Sequence, residues 1–219
     1  MDRFGYAKTI DQAAYERNKE AADAENKYAF SCKNTGRVCI FTNTGQLHTI
    51  KVTDIPHGRF RDKGVPIDNI SNFNGEKEFV VAAASQTSLN LYRMIFVTKL
   101  AMMKIVDGGE FDVAKRTVAA TKLMEEDEVV SVAILNGQSQ IVLQSAEGYF
   151  LKFDVEEIPE KKKNAIGVRG MKLTGKDYVE QVYYTGIGLA EAALYKEKTL
   201  DFKKLKTAKR DGRGTRVRI

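Results

Sequence analysis

Three stretches of this chain align without gaps, and that internal repetition limits the possible folds more than any other feature. The segments beginning at Phe73, Leu123 and Leu173 lie at offsets of 50 and 50 residues, and each runs from an apolar residue through a short polar turn into an apolar run. That pattern reads as a turn followed by a buried strand. Other parts of the unit recur at similar spacing. Thr42 to Val52 and Ser145 to Phe153 each read as a strand, a turn at or near Gly, and a second strand bearing a Lys, with Thr98 to Val106 a degraded copy between them. Gly5 to Ile10 supplies the second strand of a truncated first copy, and Asp54-Ile55-Pro56 and Glu157-Ile158-Pro159 end that strand in corresponding places. Basic loops follow at Arg61 to Val65, Ala114 to Val118 and Asn164 to Val168, with a last copy at Arg210 to Val217.

A strand-built repeat of about 50 residues predicts an all-β, propeller-like array of four-stranded blades. Over 219 residues that gives about four to five blades, with incomplete first and last copies that complete one another. No low-complexity linker divides the chain, so residues 1–219 read as one domain. Tyr15 to Lys27 lacks an apolar stripe and reads as a polar loop with at most a short helix.

Charge is distributed unevenly. The 35 Lys/Arg against 29 Asp/Glu give +6, yet Lys196 to Ile219 holds ten cations and three acids, leaving the first 195 residues at −1. A basic segment of this kind favours an acidic partner. The N-terminus has no apolar signal-peptide core, and no apolar run long enough to span a membrane occurs, which reads as a cytoplasmic protein without a membrane partner. Cys32 and Cys39 match no redox or zinc spacing and read as small apolar side chains.

Several motifs resemble a known family. Phe4-Gly5-Tyr6-Ala7-Lys8, Asn34 to Gly45, Ala114-Lys115-Arg116-Thr117 and especially Gly167-Val168-Arg169-Gly170-Met171-Lys172-Leu173 resemble the C-terminal domain of the DNA-handling A subunit of bacterial type IIA topoisomerases, the family of DNA gyrase and topoisomerase IV. The resemblance covers nearly the whole chain. It implies a β-pinwheel, a disc of blades whose basic rim binds and bends duplex DNA. It also implies a nucleoid-associated parent with an N-terminal breakage-reunion region outside this chain and a separate B subunit that carries the ATPase. The gyrase version carries a Gln-Arg-Arg-Gly-Gly-x-Gly-type box. Its nearest counterpart, Lys209-Arg210-Asp211-Gly212-Arg213-Gly214, is interrupted by an acid, which points to the topoisomerase IV branch. Tyr15 lacks the preceding Arg of the family's catalytic tyrosine, so no catalysis is carried over to it.

Duplex DNA can be held by Lys and Arg set along a curved path, with release of condensed counterions and no sequence readout. Two candidate rows follow from the repeat. Lys8, Lys51, Lys104 and Lys152 fall on the strand after the turn. Arg59, Arg61, Lys63, Lys115, Arg116, Lys161, Lys162, Lys163 and Arg169 fall in the later loop. Lys203, Lys204, Lys206, Lys209, Arg210, Arg213, Arg216 and Arg218 extend the path. Gly64, Gly167, Gly170, Gly212 and Gly214 would let the backbone approach phosphates, although a plain turn explains each equally well. Acidic runs at Glu125 to Glu128 and Asp154 to Glu157 should lie off the path. The expected role is non-catalytic: to bind and bend a duplex segment and present it for strand passage, with no metal or cofactor. His48 and His57 show no metal spacing, and no Walker-type loop or nucleophile elbow occurs. The alternative is a propeller-like scaffold that binds proteins.

Overall fold

A computed structural model describes residues 1–186, 188–189 and 191–217. Arg218, one of the terminal cations, lies outside the described residues. The strands in chain order are β1 (Tyr6–Ala7), β2 (Arg37–Thr42), β3 (Gln46–Lys51), β4 (Val65–Pro66), β5 (Val80–Ser85), β6 (Arg93–Thr98), β7 (Met102–Asp107) and β8 (Thr117–Ala119). They continue with β9 (Val129–Leu135), β10 (Gln138–Ser145), β11 (Tyr149–Asp154), β12 (Val168–Arg169), β13 (Val179–Gly186), β14 (Ala192–Tyr195), β15 (Lys198–Asp201) and β16 (Thr215–Arg216). They form five sheets, here called blades: β1-β4, then β5-β2-β3-β8, β9-β6-β7-β12 and β13-β10-β11-β16, and last β14-β15. Three blades are therefore complete and four-stranded. The first and last remain separate two-stranded sheets and do not complete one another.

Each complete blade is built on a hairpin with a three-residue loop. Gly45, Ala101 and Gly148 close the three loops with φ of 76°, 63° and 81°, and each N–H donates to the last residue of the preceding strand. Such loops end in the left-handed region, which glycine enters without strain. Ala101 does so at a cost, which is why that copy looks degraded in sequence. The outer strand pairs with a β-bulge at the same place in all three blades, at Phe41/Thr42, Val97/Thr98 and Gln144/Ser145.

That shared register corrects the ungapped alignment. Val80, Val129 and Val179 oppose Thr42, Thr98 and Ser145, so the first offset is 49 and the turn after Phe73 is one residue longer than its counterparts. In the shorter turns a buried Asp staples the loop: Asp127 Oδ1 accepts from the Leu100 and Glu128 amides, and Asp177 Oδ1 from the Glu147 and Tyr178 amides.

Hairpin strands are apolar on both faces because each is sandwiched between neighbouring blades. Val38 and Ile40 pack toward the first blade, whereas Cys39 and Phe41 pack toward the third. Phe41, Phe96 and Phe111 meet there at centroid distances of 5.2–5.8 Å. Four such interfaces in succession form the core. Burial pushes the Cys39 thiol up to about 12, in keeping with a small apolar role. The stretch expected to be a polar loop with at most a short helix forms two short helices, α1 (Gln12–Arg17) and α2 (Lys19–Glu25), with only Ala22 buried. A 2.7 Å Lys19–Asp23 pair at i,i+4 spacing supports the second. Among the described residues no helix is long and apolar enough to cross a membrane.

Candidate nucleic-acid interface

The fourth strand of each complete blade comes from the next unit in sequence. After β3 the chain makes a short 3-10 turn, crosses to the first blade as β4, and returns to its own blade as β5. The same path recurs from β7 through β8 to β9, from β11 through β12 to β13, and from β15 to β16. Four crossover segments therefore bridge successive blades at equivalent positions. These segments hold the basic loops: residues 57–64 carry three cations and one acid, 112–116 two and one, 159–169 four and one, and 206–216 five and one. Fourteen cations against four acids give +10, compared with +6 for the entire chain, so the remainder is net negative.

Many of these cations point to solvent. Arg59, Arg61, Lys115, Arg116, Lys161 and Lys209 are exposed, and their side chains have no hydrogen-bond or ion-pair partner among the described residues. Lys51 is likewise exposed, as are Lys204 and Lys206. Others stack on aromatic rings. Lys63 Nζ lies 4.4 Å from the Tyr6 ring centroid, and the Arg213 and Arg216 guanidinium carbons lie 4.6 and 5.8 Å from that of Tyr149. Tyr6 and Tyr149 were missed by the sequence reading, although both begin a strand that pairs with a fourth strand, opposite Pro66 and Arg216.

A third group is already paired. Lys162 meets Glu110 at 3.3 Å, Lys203 meets Glu191 at 2.5 Å, and Arg169 forms a two-pronged pair with Asp211. Hydrogen bonds from Arg169 hold the Asp211 carboxyl below its usual range. The acid that interrupts the basic-pair and glycine box therefore anchors the last crossover to β12. Lys163 Nζ donates to the Glu110 carbonyl at 2.7 Å. Arg210 donates to the carbonyls of Glu157 at 3.0 Å and Arg169 at 2.5 Å.

The expected row of Lys8, Lys51, Lys104 and Lys152 does not form. The bridges Thr9 to His57, Ile105 to Glu160 and Lys152 to Thr207 fix the equivalence of the inner strands. By that register Lys8 and Lys104 correspond, Lys152 lies one residue further on, and Lys51 three. Lys104 is 0% exposed, and its Nζ donates to the carbonyls of Lys162, Lys163 and Ala165 at 3.1, 2.6 and 2.7 Å. Lys8 is half-buried and donates to the carbonyls of Phe60 and Asp62. Lys152 is 8% exposed and donates to the Phe202 carbonyl at 2.9 Å. A buried ammonium is tolerated when its donors are fully used, as all three of Lys104 are, and Lys8 and Lys152 also turn onto protein carbonyls.

Burial pulls the Lys104 ammonium down to about 8, against the opposing pull of Glu110. Because a free lysine titrates near about 10.4, the unfolded chain holds a proton between those values that the folded chain has released, and stability must rise with pH there. Thermal melts at pH 8 to 10 should show wild type gaining stability relative to Lys104→Leu. A difference that stays constant with pH would contradict this titration.

The glycines also take a different role from the expected phosphate approach. Gly64, Gly167 and Gly214 each precede a fourth strand. A Cβ on them would lie 2.2, 2.3 and 2.5 Å from the carbonyl oxygens of Ala7, Met103 and Phe150. They let the crossover backbone lie against the preceding blade. A Cβ on Gly170 would strike the Met103 sulfur at 2.1 Å, and one on Gly212 would sit 3.2 Å from the Lys209 carbonyl oxygen.

The acidic turns at residues 76–78 and 125–128 follow the fourth strands and close against the hairpin loops, where Val129 donates to Asn43 and Ala120 to Gly45. They sit at the end of the strands away from the 3-10 turns that begin each crossover. The acidic run Asp154 to Glu157, however, does not lie off the path as expected: it ends β11 and forms the 3-10 turn that begins the third crossover, where Glu157 accepts from the Arg210 amide at 3.0 Å. The four acids within the crossovers are occupied locally: Asp62 caps the Arg59 amide at 2.7 Å, Asp112 accepts from Gln86 and Asn90, Glu160 meets Arg93 at 3.9 Å, and Asp211 holds Arg169.

Comparison with known proteins matches this architecture unit by unit. The family model described as DNA gyrase C-terminal domain, beta-propeller, matches residues 36–86, 93–136 and 139–185, the three sequence units that each supply a complete blade with three of its four strands. The DNA gyrase A subunit of Lawsonia intracellularis is 26% identical over 190 residues, covering 82% of this chain and 23% of that protein. The DNA topoisomerase 4 A subunit of Bacillus subtilis is 27% identical over 154 residues, covering 69% of this chain and 19% of that protein. The chain thus spans roughly a fifth of the length of these relatives. Among solved structures, the C-terminal domain of DNA topoisomerase IV superimposes with a TM-score of 0.83 at 22% identity, covering 97% of this chain and 69% of that one. The E. coli ParC C-terminal domain does so with a TM-score of 0.77 at 17% identity, covering 100% and 92%. With most of its length matched blade by blade, the chain belongs to the DNA gyrase A C-terminal domain family.

Proposed function

We propose that this chain binds duplex DNA along the edge formed by its four crossover segments, bending the duplex around the blades without catalysing bond chemistry. The observation that carries the reading is the recurrence of exposed, unpaired cations in every crossover, with net negative charge elsewhere. Phosphate neutralisation needs cations in sequence along a path and no base-edge readout. Bending a short site costs about 1–6 kcal/mol by elastic estimates, to be offset by contacts at successive crossovers. The five cations of the last crossover, against three, two and four in the others, support tightest binding there.

The chain acts as part of a longer topoisomerase A subunit, in the cytoplasm on the nucleoid. It presents a duplex segment for passage through a break made elsewhere, with the ATPase-bearing B subunit of the holoenzyme for its partner. The interrupted box, whose acid is committed to Arg169, supports topoisomerase IV over gyrase as the parent.

The test is fluorescence anisotropy with a linear duplex of about 30 base pairs across roughly 50–200 mM salt. The expected result is binding whose log-log salt slope reaches about −5, matching six phosphate contacts at about −0.9 each. Absence of binding at low salt, or a slope near zero, would overturn the reading.

A further inference from the structure

We propose that Lys8 and Lys104 are positioning residues: each draws inward the carbonyls of the crossover segment laid over its blade, and thereby holds that segment's free cations outward along one edge. The inference rests on the DNA-binding reading above and extends it to residues whose ammonium groups are turned onto protein carbonyls.

The crossovers at 55–64 and 158–167 are long and mostly irregular, so their carbonyls need partners outside a ladder. An ammonium offers three donors and no acceptor, which suits a cluster of carbonyls better than any neutral side chain. Lys104 meets three of them, at Lys162, Lys163 and Ala165, and Lys8 meets two, at Phe60 and Asp62. The residues so gathered lie beside Lys161 in one case and flank Arg61 in the other, both exposed.

Other blades supply a comparison within the molecule. Leu151 takes the equivalent position in the fourth blade, where it is buried in the core. An apolar side chain therefore suffices for packing between blades. The crossover over that blade is held instead by Arg210 and by the Arg169–Asp211 pair. In the second blade His48 stands at this position, the crossover is shorter, and its carbonyls are met by Arg37 at Ala114 and by the Thr49 hydroxyl at Lys115, both at 3.0 Å. Lysine is present in the other two long crossovers, and at 158–167 it acts beside the contacts of Glu110 with Lys162 and Lys163. Fixing the segment beforehand reduces the ordering cost of binding without adding a phosphate contact.

Lys104→Leu installs the residue that the fourth blade already uses, and Lys8→Leu is a second, less buried variant. Amide exchange by mass spectrometry should show residues 161–166 exchanging at least about tenfold faster in Lys104→Leu, and residues 58–63 likewise in Lys8→Leu, with β6 and β7 protected as in wild type. Duplex affinity should fall about three- to tenfold while the salt slope changes by less than about 0.5, in contrast to the loss of about 0.9 expected for a phosphate-contacting residue such as Lys161. Unchanged exchange in the crossover would overturn the positioning role, as would a slope loss equal to that of Lys161→Ala. If wild type fails to bind DNA, the DNA-binding reading falls, and the exchange comparison still decides whether these lysines order the crossovers.

Discussion

Replacing Arg59, Arg61, Lys115, Arg116, Lys161 and Lys209 with Ala should reduce duplex affinity by about a thousandfold or more at moderate salt and flatten the salt dependence by up to about five units of slope. The set takes at least one cation from every crossover, and all six are exposed and unpaired among the described residues. None supports the core, so the melting temperature should stay within about 2 °C of wild type, as for surface changes of about 0.5 kcal/mol or less. A smaller control set separates path from net charge when losses are compared per cation removed. Lys77, Lys122 and Lys176 are also surface lysines, but they lie in or beside the turns at the opposite end of the strands. Their replacement should leave the slope changed by less than about one unit, the size of a single contact. Equal losses per cation from both sets would mean diffuse attraction instead of a track.

The contrast between the two candidate rows shows what a period in sequence can and cannot convey. A repeat of about 50 residues placed the hairpins and basic loops correctly because each is a local unit with its own punctuation, such as Asn43-Thr44-Gly45 or Ile158-Pro159. It did not place the lysines of the inner strand. Shifting a strand by one residue moves every side chain to the opposite face, and Lys152 is displaced from Lys104 by one position while Lys51 is displaced by three. Both errors are invisible until the bridges fix the register. The turn after Phe73 was misaligned for a similar reason: one extra residue leaves the apolar pattern looking intact.

Topology was the other hidden quantity. Nothing local marks Val65, Thr117, Val168 or Thr215 as belonging to the preceding blade, because short strands of two or three residues carry little signal. Yet this exchange makes each basic loop a structural bridge as well as an exposed one. The carbonyls of a crossover face the preceding blade, and the glycine before each long crossover's fourth strand allows close approach. The side chains left over are those available to a ligand. Arg169 and Asp211 show how fine the division is: one cation of the prominent Gly-Val-Arg-Gly motif is used to dock the next crossover.

The largest expected loss of stability comes from Gly167→Ala. Gly167 combines two constraints, a φ of 106° and a Cβ position 2.3 Å from the Met103 carbonyl oxygen. The backbone conformation costs a side chain about 1–3 kcal/mol, and forcing β12 away from β7 adds about 1–3 kcal/mol as overpacking does. The sum, about 2–6 kcal/mol, is a large part of the stability of a domain this size and should lower the melting temperature by about 5–20 °C. Two other glycines separate the contributions. Gly64→Ala meets the Ala7 carbonyl oxygen at 2.2 Å without a positive φ, whereas Gly175→Ala has a φ of 64° and open space around it. Gly175→Ala should cost about 1–2 kcal/mol, the local penalty of the left-handed region alone. Gly64→Ala should fall between the two, and its damage should appear as faster amide exchange at the β1-β4 pairing. A Gly167→Ala melt no lower than that of Gly175→Ala would mean that the crossover backbone can move off the blade freely. In that case the close approach of each crossover to its preceding blade would not be what holds the array together.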